Sequence, residues 1–425
     1  MKNLYTHLLL LILFTIPYLG YAQFTNNGAT VVVESGASII ANGDFNNINN
    51  GDLTIVGEIT VKGDLTNEGT LNADPLSTVK LNGTTSQTLN LNNATIQNFE
   101  IWNSFSDISL ASSFTINGEV VFGQASNNLV LGDYNLKIGP KKTAETMGTF
   151  DRSAAAPGWV DAKGSGKLIR DYSGDITSLN FPIGDDTYYT PVIIDVTSGT
   201  VATGKIGIKL TNAAHPDLPS DATAYLTRYW DISTMGMGTN FSADLTATYN
   251  VNNDRVLIGS AVEEDIVGAN YDGIAWDFTN GQNISPHQIK GTITGDRSFT
   301  GLNRKLIEWT GAVSQQWNNT DNWNSNSIPT IDNEVLIPSG LSNYPHLGSG
   351  LFAIGSNPNN GAFECYKLTI ESGASFITLP NNKIENRGDI IIWGNMWVQN
   401  SAVDAFNNFS NSKIIIENAG ELTFH

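Results

Sequence analysis

The chain has 425 residues, a length that argues for two or three domains. Its 22 Lys and Arg against 41 Asp and Glu leave a net charge of −19, which repels phosphate backbones and argues against nucleic acid as a partner. Only 15% of residues are charged, below the roughly 25% of ordinary soluble domains, while 40% are hydrophobic. That apolar content excludes disorder throughout, and the polar surface has to come from Asn, Thr, Ser and Gly, residues that favour turns over helix interiors.

Residues 1–22 read as a secretory signal peptide. Lys2 supplies the positive charge, an apolar run follows from Leu8, and Gly20 and Ala22 sit at −3 and −1 if cleavage falls before Gln23. The run is short and Pro17 interrupts it, which disfavours a membrane anchor, and no second stretch of about 18 apolar residues follows. The expected location is therefore secreted or on the outer cell surface, with no transmembrane segment after signal removal. The lone cysteine, Cys365, cannot pair within the chain, and its strand-like neighbours "FECYKLTI" predict a buried, inert thiol.

Residues 23–140 are short apolar alternations of period two, such as "TVVVESGAS" and "GDLTIVGEITVKGDLTNEGTL", broken by NG, GD, SG and EG turn signals. "GD" followed by Phe or Leu begins at Gly43, Gly51 and Gly63. Recurring strand–turn units predict a parallel β-solenoid, right-handed and β-helix-like. One coil cannot bury its inward side chains, but stacked coils line them up in rows. The segment "ESGAS" at residues 34–38 returns at 371–375, and at that ungapped offset of 337 Gly51, Ile55, Gly57 and Val61 fall on Gly388, Ile392, Gly394 and Val398. Two copies of one solenoid unit are the expectation. Between them, residues 141–304 carry longer, more aromatic strands at the spacing of an antiparallel β-sandwich. Residues 305–425 open on Trp309, Trp317 and Trp323 and then read as a second solenoid segment. The predicted fold class is thus all-β, with solenoid segments flanking a central antiparallel β-sandwich.

The tryptophan run with Pro329 and "DNEVLIP", the coils "ESGAS" and "GDLTNEGTL", and the stretches "FPIGDDTYYTPV" and "RYWDIS" resemble a family of secreted, adhesin-like β-solenoid surface proteins of Bacteroidota associated with type IX secretion. The resemblance implies a cell-surface role. Such proteins usually carry a C-terminal sorting domain, whereas this chain ends at "NAGELTFH" as a fresh coil begins. The expectation is a chain that either continues past His425 or leaves by another exit.

Three groups of residues invite a site. Trp309, Trp317 and Trp323 could stack on sugar rings, but large aromatics are also an efficient plug for an open solenoid end, and the cap is the favoured reading. Asp44, Asp52 and Asp64 could bind Ca²⁺ if stacked at one corner, although the "GGxGxD" repeat is absent and a turn carboxylate accepting a backbone N–H is the simpler account. The acids at Glu263–Asp265 and Asp185–Asp186 read as solvated loops, and Tyr188, Tyr189, Tyr229 and Trp230, which could form a binding face, read as core because aromatics alternating along strands usually pack inward. No GxSxG, HExxH or CxxC occurs, so no catalytic residue and no cofactor is assigned beyond that calcium. The expected function is a non-catalytic adhesion or matrix protein making multivalent contacts through the solenoid flank. Its partners would be polysaccharide, other surface proteins or further copies of itself. The alternative is a polysaccharide-degrading lyase or glycosidase on the same scaffold.

Overall fold

The computed structural model describes residues 22–425 except 124–127, 140–149, 152–157, 173–177, 200–203, 279–281, 284–285, 349, 356–360, 362, 381, 400–405, 410–411 and 418. The expected signal peptide lies outside the described residues. Among those described, the protein is built from β-strands with two single-turn 3₁₀ segments, Glu263–Asp265 and Thr320–Asn322. No helix there is long and apolar enough to cross a membrane. The chain forms two compact units, one of residues 1–212, 230–245 and 294–296, the other of 213–229, 246–293 and 297–425.

The first unit is a parallel β-solenoid. Phe24–Asn27, Phe45–Ile48, Leu65–Asn67, Gln87–Asn90, Ile108–Leu110, Leu129–Val130, Val160–Asp161 and Ile183–Gly184 stack as one eight-stranded ladder. Ser38–Ala41, Glu58–Val61, Thr78–Leu81, Asn98–Ile101, Val120–Phe122 and Phe150–Asp151 form a second ladder of six. Thr30–Val33, Asp52–Ile55 and Thr70–Ala73 begin a third face. Each coil gives one short strand to each face, and period two does the rest. The inward positions Leu65, Leu89, Ile59, Val79, Phe99, Val61, Leu81 and Ile101 are buried, each Leu, Ile or Val worth about 1.5–3 kcal/mol.

Asparagine supplies the polar counterpart of these rows. Asn47 Nδ2 donates to Asn67 Oδ1 at 2.7 Å and Asn26 Nδ2 to Asn47 Oδ1 at 2.8 Å, a ladder in which each buried carboxamide satisfies the next. Parallel stacking then gives way to antiparallel pairing within one strand. Leu168–Tyr172 runs parallel to Leu136–Ile138 on one edge and antiparallel to Gly204–Thr211 on the other. Ser178–Phe181 and Val192–Ser198 form a further antiparallel pair.

In the second unit, Val267–Tyr271 pairs antiparallel with both Trp276–Phe278 and Arg297–Leu302. A second parallel solenoid follows, with Lys305–Glu308, Asn333–Ile337, Lys367–Ile370, Asp389–Ile392 and Lys413–Ile416 on one face. The internal repeat read from the sequence is met strand for strand. Thr30–Val33, Ser38–Ala41, Asp52–Ile55 and Glu58–Val61 correspond at an offset of 337 to Lys367–Ile370, Ser375–Thr378, Asp389–Ile392 and Asn395–Val398. The turns repeat too: Gly36 and Gly373 adopt φ of 76° and 86°, a left-handed conformation that favours glycine. A Cβ on Gly57 would lie 2.1 Å from the Ala37 carbonyl oxygen, and one on Gly394 2.4 Å from that of Ala374, so neither corner admits a side chain.

Cys365 is fully buried in the second solenoid core, and burial, with Glu334 and Glu364 adding to it, pushes its thiol well above the ordinary range. Its reaction with a thiol reagent such as DTNB is therefore expected only after unfolding. Stoichiometric labelling of the native chain would contradict this placement.

Candidate functional site

The aspartates named from the sequence do not converge. Asp44 Oδ1 accepts the Asp64 N–H at 2.9 Å, and Asp64 Oδ1 accepts the Thr88 N–H at 2.7 Å, so each ties its coil to the next. The same link recurs where Asp107 Oδ1 accepts the Asn128 N–H and Asn128 Oδ1 accepts the Trp159 N–H. Asp52 sits on a different ladder, where its Oδ1 accepts from Asn72 Nδ2 at 3.3 Å. The groove beside Asp44 and Asp64 is also lined by Lys62, whose charge opposes a cation. Asp44, Asp52 and Asp64 are thus all inter-coil hydrogen-bond acceptors, and Asp52 lies on a ladder apart from the corner that carries the other two, so the three do not form one cluster.

The three tryptophans are likewise interior. Trp309, Trp317 and Trp323 are 0%, 0% and 2% exposed. Trp323 packs edge-on against Trp309 at 4.9 Å and Trp317 at 4.6 Å, and Trp317 continues onto Phe352 and Phe376. The Trp309 indole N–H donates to the Asn343 carbonyl and that of Trp323 to the Trp317 carbonyl. A sugar ring needs an open indole face, and these faces are taken by other rings. The possible carbohydrate contact is corrected in favour of packing at the first rung of the second solenoid.

Two acidic segments read as solvated loops are partly interior. Asp185 is fully buried, its Oδ1 accepting the Thr187 and Tyr188 N–H groups. The Glu263 side chain is 10% exposed and is a hub. It accepts from the Tyr249 hydroxyl at 2.6 Å, contacts His287 Nδ1 at 2.9 Å and pairs with Arg255. Burial pushes the Glu263 carboxyl up, but the Tyr249 and His287 hydrogen bonds and the Arg255 charge outweigh it and hold it below the ordinary carboxylate value. The stability this hub contributes is present above about pH 4.3, the unfolded value, and is lost as pH falls through the lower folded value. We expect the melting-temperature gap between the wild type and Glu263→Gln to be open at neutral pH and to shrink below about pH 4. A gap independent of pH would contradict the assignment.

Glu263 opens the 3₁₀ turn whose last residue, Asp265, lines a cleft of about 660 Å³ in the second unit, within the range of about 300–1,000 Å³ typical of ligand pockets. The cleft draws on segments far apart in sequence, each fixed by its own local device. Asp272 Oδ1 accepts the Ile274 and Ala275 N–H groups, closing the turn that delivers Trp276 and Phe278. Those backbone hydrogen bonds hold the Asp272 carboxyl below its usual range. Trp276 donates its indole N–H to the Asp217 carbonyl and packs against His215 and Tyr271, each at 5.0 Å. Asn303 Oδ1 accepts the Thr223 and Ala224 N–H groups and ties two lining segments together. Beneath, the buried Arg304 guanidinium lies 3.6 Å from the Tyr366 ring centroid and 5.1 Å from that of Phe278, and 3.5 Å from Asp332 Oδ1. Burial raises the Asp332 carboxyl, with Arg304 pulling the other way. The result is an aromatic and aliphatic surface with Asp221, Asp265, Asp332 and Lys305 around it.

A second functional surface is the outward face of the coils. In register, Thr30, Asp52 and Thr70 form one column and Val32, Thr54 and Asn72 its neighbour. Ser38, Glu58, Thr78 and Asn98 form another. In the second solenoid, Ser375, Asn395 and Glu421 do the same. These positions are exposed or half-exposed and repeat about every 4.8 Å.

No protein-family model matches the chain, and neither curated proteins nor solved structures give a match.

Proposed function

We propose that the chain is a non-catalytic adhesion or matrix protein of the cell exterior, acting by multivalent contact along its solenoid flank. The observation that carries this reading is the in-register stacking of mostly polar residues, Thr, Ser, Asn, Asp and Glu, into outward columns. A column repeating about every 4.8 Å offers the same weak contact many times, and linked weak contacts add through effective concentration. The leader-like first 22 residues and the resemblance to secreted solenoid surface proteins support the external location. Polysaccharide, another surface protein or a second copy of the chain each present the repeated partner such a flank needs.

The test pairs retention of the full chain on immobilised glycans with a reducing-sugar assay on the same samples. Retention without new reducing ends is the expected result. Release of reducing ends would replace the reading with a polysaccharide-degrading enzyme, and absence of retention on glycans, surface proteins and the chain itself would overturn it.

A further inference from the structure

We infer that the cleft lined by Trp276 and Phe278 binds a short segment of an uncharged glycan, an inference that rests on the adhesion reading and names the ligand class of one discrete site. Its lining combines an apolar surface with acceptors and a donor. Trp276 and Phe278 supply ring area, Asp221 and Asp332 supply carboxylate oxygens, and Lys305 an ammonium group. A pyranose has the complementary form, a C–H face that lies against a ring and an edge of hydroxyl groups that donate and accept.

Charge narrows the class further. Three carboxylates line the cleft, Asp221, Asp265 and Asp332, against the one lining cation Lys305 and the buried Arg304 paired with Asp332 and lying over the Phe278 ring, which leaves a small negative excess. One oxygen of Asp265 is already engaged, accepting the Val262 N–H at 2.8 Å. The cleft therefore offers many hydrogen-bonding groups with a weak net field. A polyanionic glycan would face those carboxylates and a chain of net charge −19, and a polycationic peptide would meet the Lys305 ammonium group. An uncharged polyhydroxylated ligand meets neither penalty.

The walls are set in advance, which lowers the entropic cost of binding. Asn303 fixes the 223–224 side, the Glu263 hub holds the turn carrying Asp265, and Arg304 braces both Phe278 and Asp332.

The test is calorimetric titration of the full chain with cellotriose, mannotriose, chitotriose, trigalacturonate and tetralysine. One or more of the three neutral sugars is expected to bind at one site. Asp332→Asn and Asp221→Asn are each expected to weaken that binding about tenfold or more, the loss of a charge-assisted hydrogen bond, with the melting temperature unchanged in Asp221→Asn and lowered in Asp332→Asn, which also removes a counter-charge of the buried Arg304. Trp276 is left intact in these variants because it also packs on His215 and Tyr271. Neutral sugars failing to bind while retention on dense glycan surfaces persists would overturn the cleft assignment and leave the adhesion reading standing. Failure of both would remove the two together. Preference for trigalacturonate or tetralysine, or binding indifferent to both Asp variants, would also overturn it.

Discussion

Replacing Trp317 with alanine is expected to destabilise the second solenoid by about 3–5 kcal/mol, the usual cost of deleting a large buried aromatic. The ring is fully enclosed and touches Trp323, Phe352 and Phe376, so its loss opens the first rung to water while the walls stay propped by their own strands. Stacked coils depend on their neighbours, so the damage should spread from that rung to the strands Asn333–Ile337 and Lys367–Ile370. Hydrogen exchange over residues 305–370 is the readout, alongside urea unfolding. Trp317→Phe separates packing from polarity. It keeps ring contacts and removes a buried indole N–H that has no hydrogen-bond partner among the described residues, so its cost is expected near 1 kcal/mol. Equal losses for the two variants would mean that the ring does not carry the rung.

The second large effect is expected at Arg228 and Asp254. The guanidinium and carboxylate are 0% and 1% exposed and meet in two hydrogen bonds, Nε to Oδ2 at 2.7 Å and Nη2 to Oδ1 at 3.1 Å. Arg228→Met leaves a buried carboxylate without its counter-charge and is expected to cost about 3–5 kcal/mol. The double variant Arg228→Met, Asp254→Leu removes both charges and should recover most of that loss. It should not recover all, because Asp254 Oδ2 also accepts the Asn250 N–H at 2.7 Å. A double variant as unstable as the single would show that the pair contributes through shape rather than charge compensation.

Much of the fold is legible in the residues because a solenoid writes its rules locally. Period-two alternation marks each strand, Gly and Asn mark each corner, and the spacing of 337 between the two "ESGAS" segments carries over to four matching pairs of strands. The burial of the tryptophans was legible from the need to plug an open solenoid end, their own sequence neighbours being polar, and that of Cys365 from its strand-like neighbours. The roles of the aspartates were less so. A Gly-Asp pair looks alike whether its carboxylate binds a metal, closes a local turn or reaches the N–H of the next coil, and only the stacking of Asp44, Asp64 and Thr88 decides. Glu263 was misread as solvated because its partners Tyr249, Arg255 and His287 carry no shared motif. The cleft was invisible for a related reason: its lining runs from Pro219 to Asn333, and no short spacing joins those residues. Its one local signal was the Asp272–Gly273 turn ahead of Trp276.

The account turns on repetition: many equal contacts along the flank acting together. The most direct measurement is the dissociation rate of the full chain from surfaces coated at graded density with glycan, or with the chain itself. Avidity predicts that residence time lengthens steeply with density, by about a hundredfold or more between sparse and dense coatings. A dissociation rate that stays the same at every density would contradict the account.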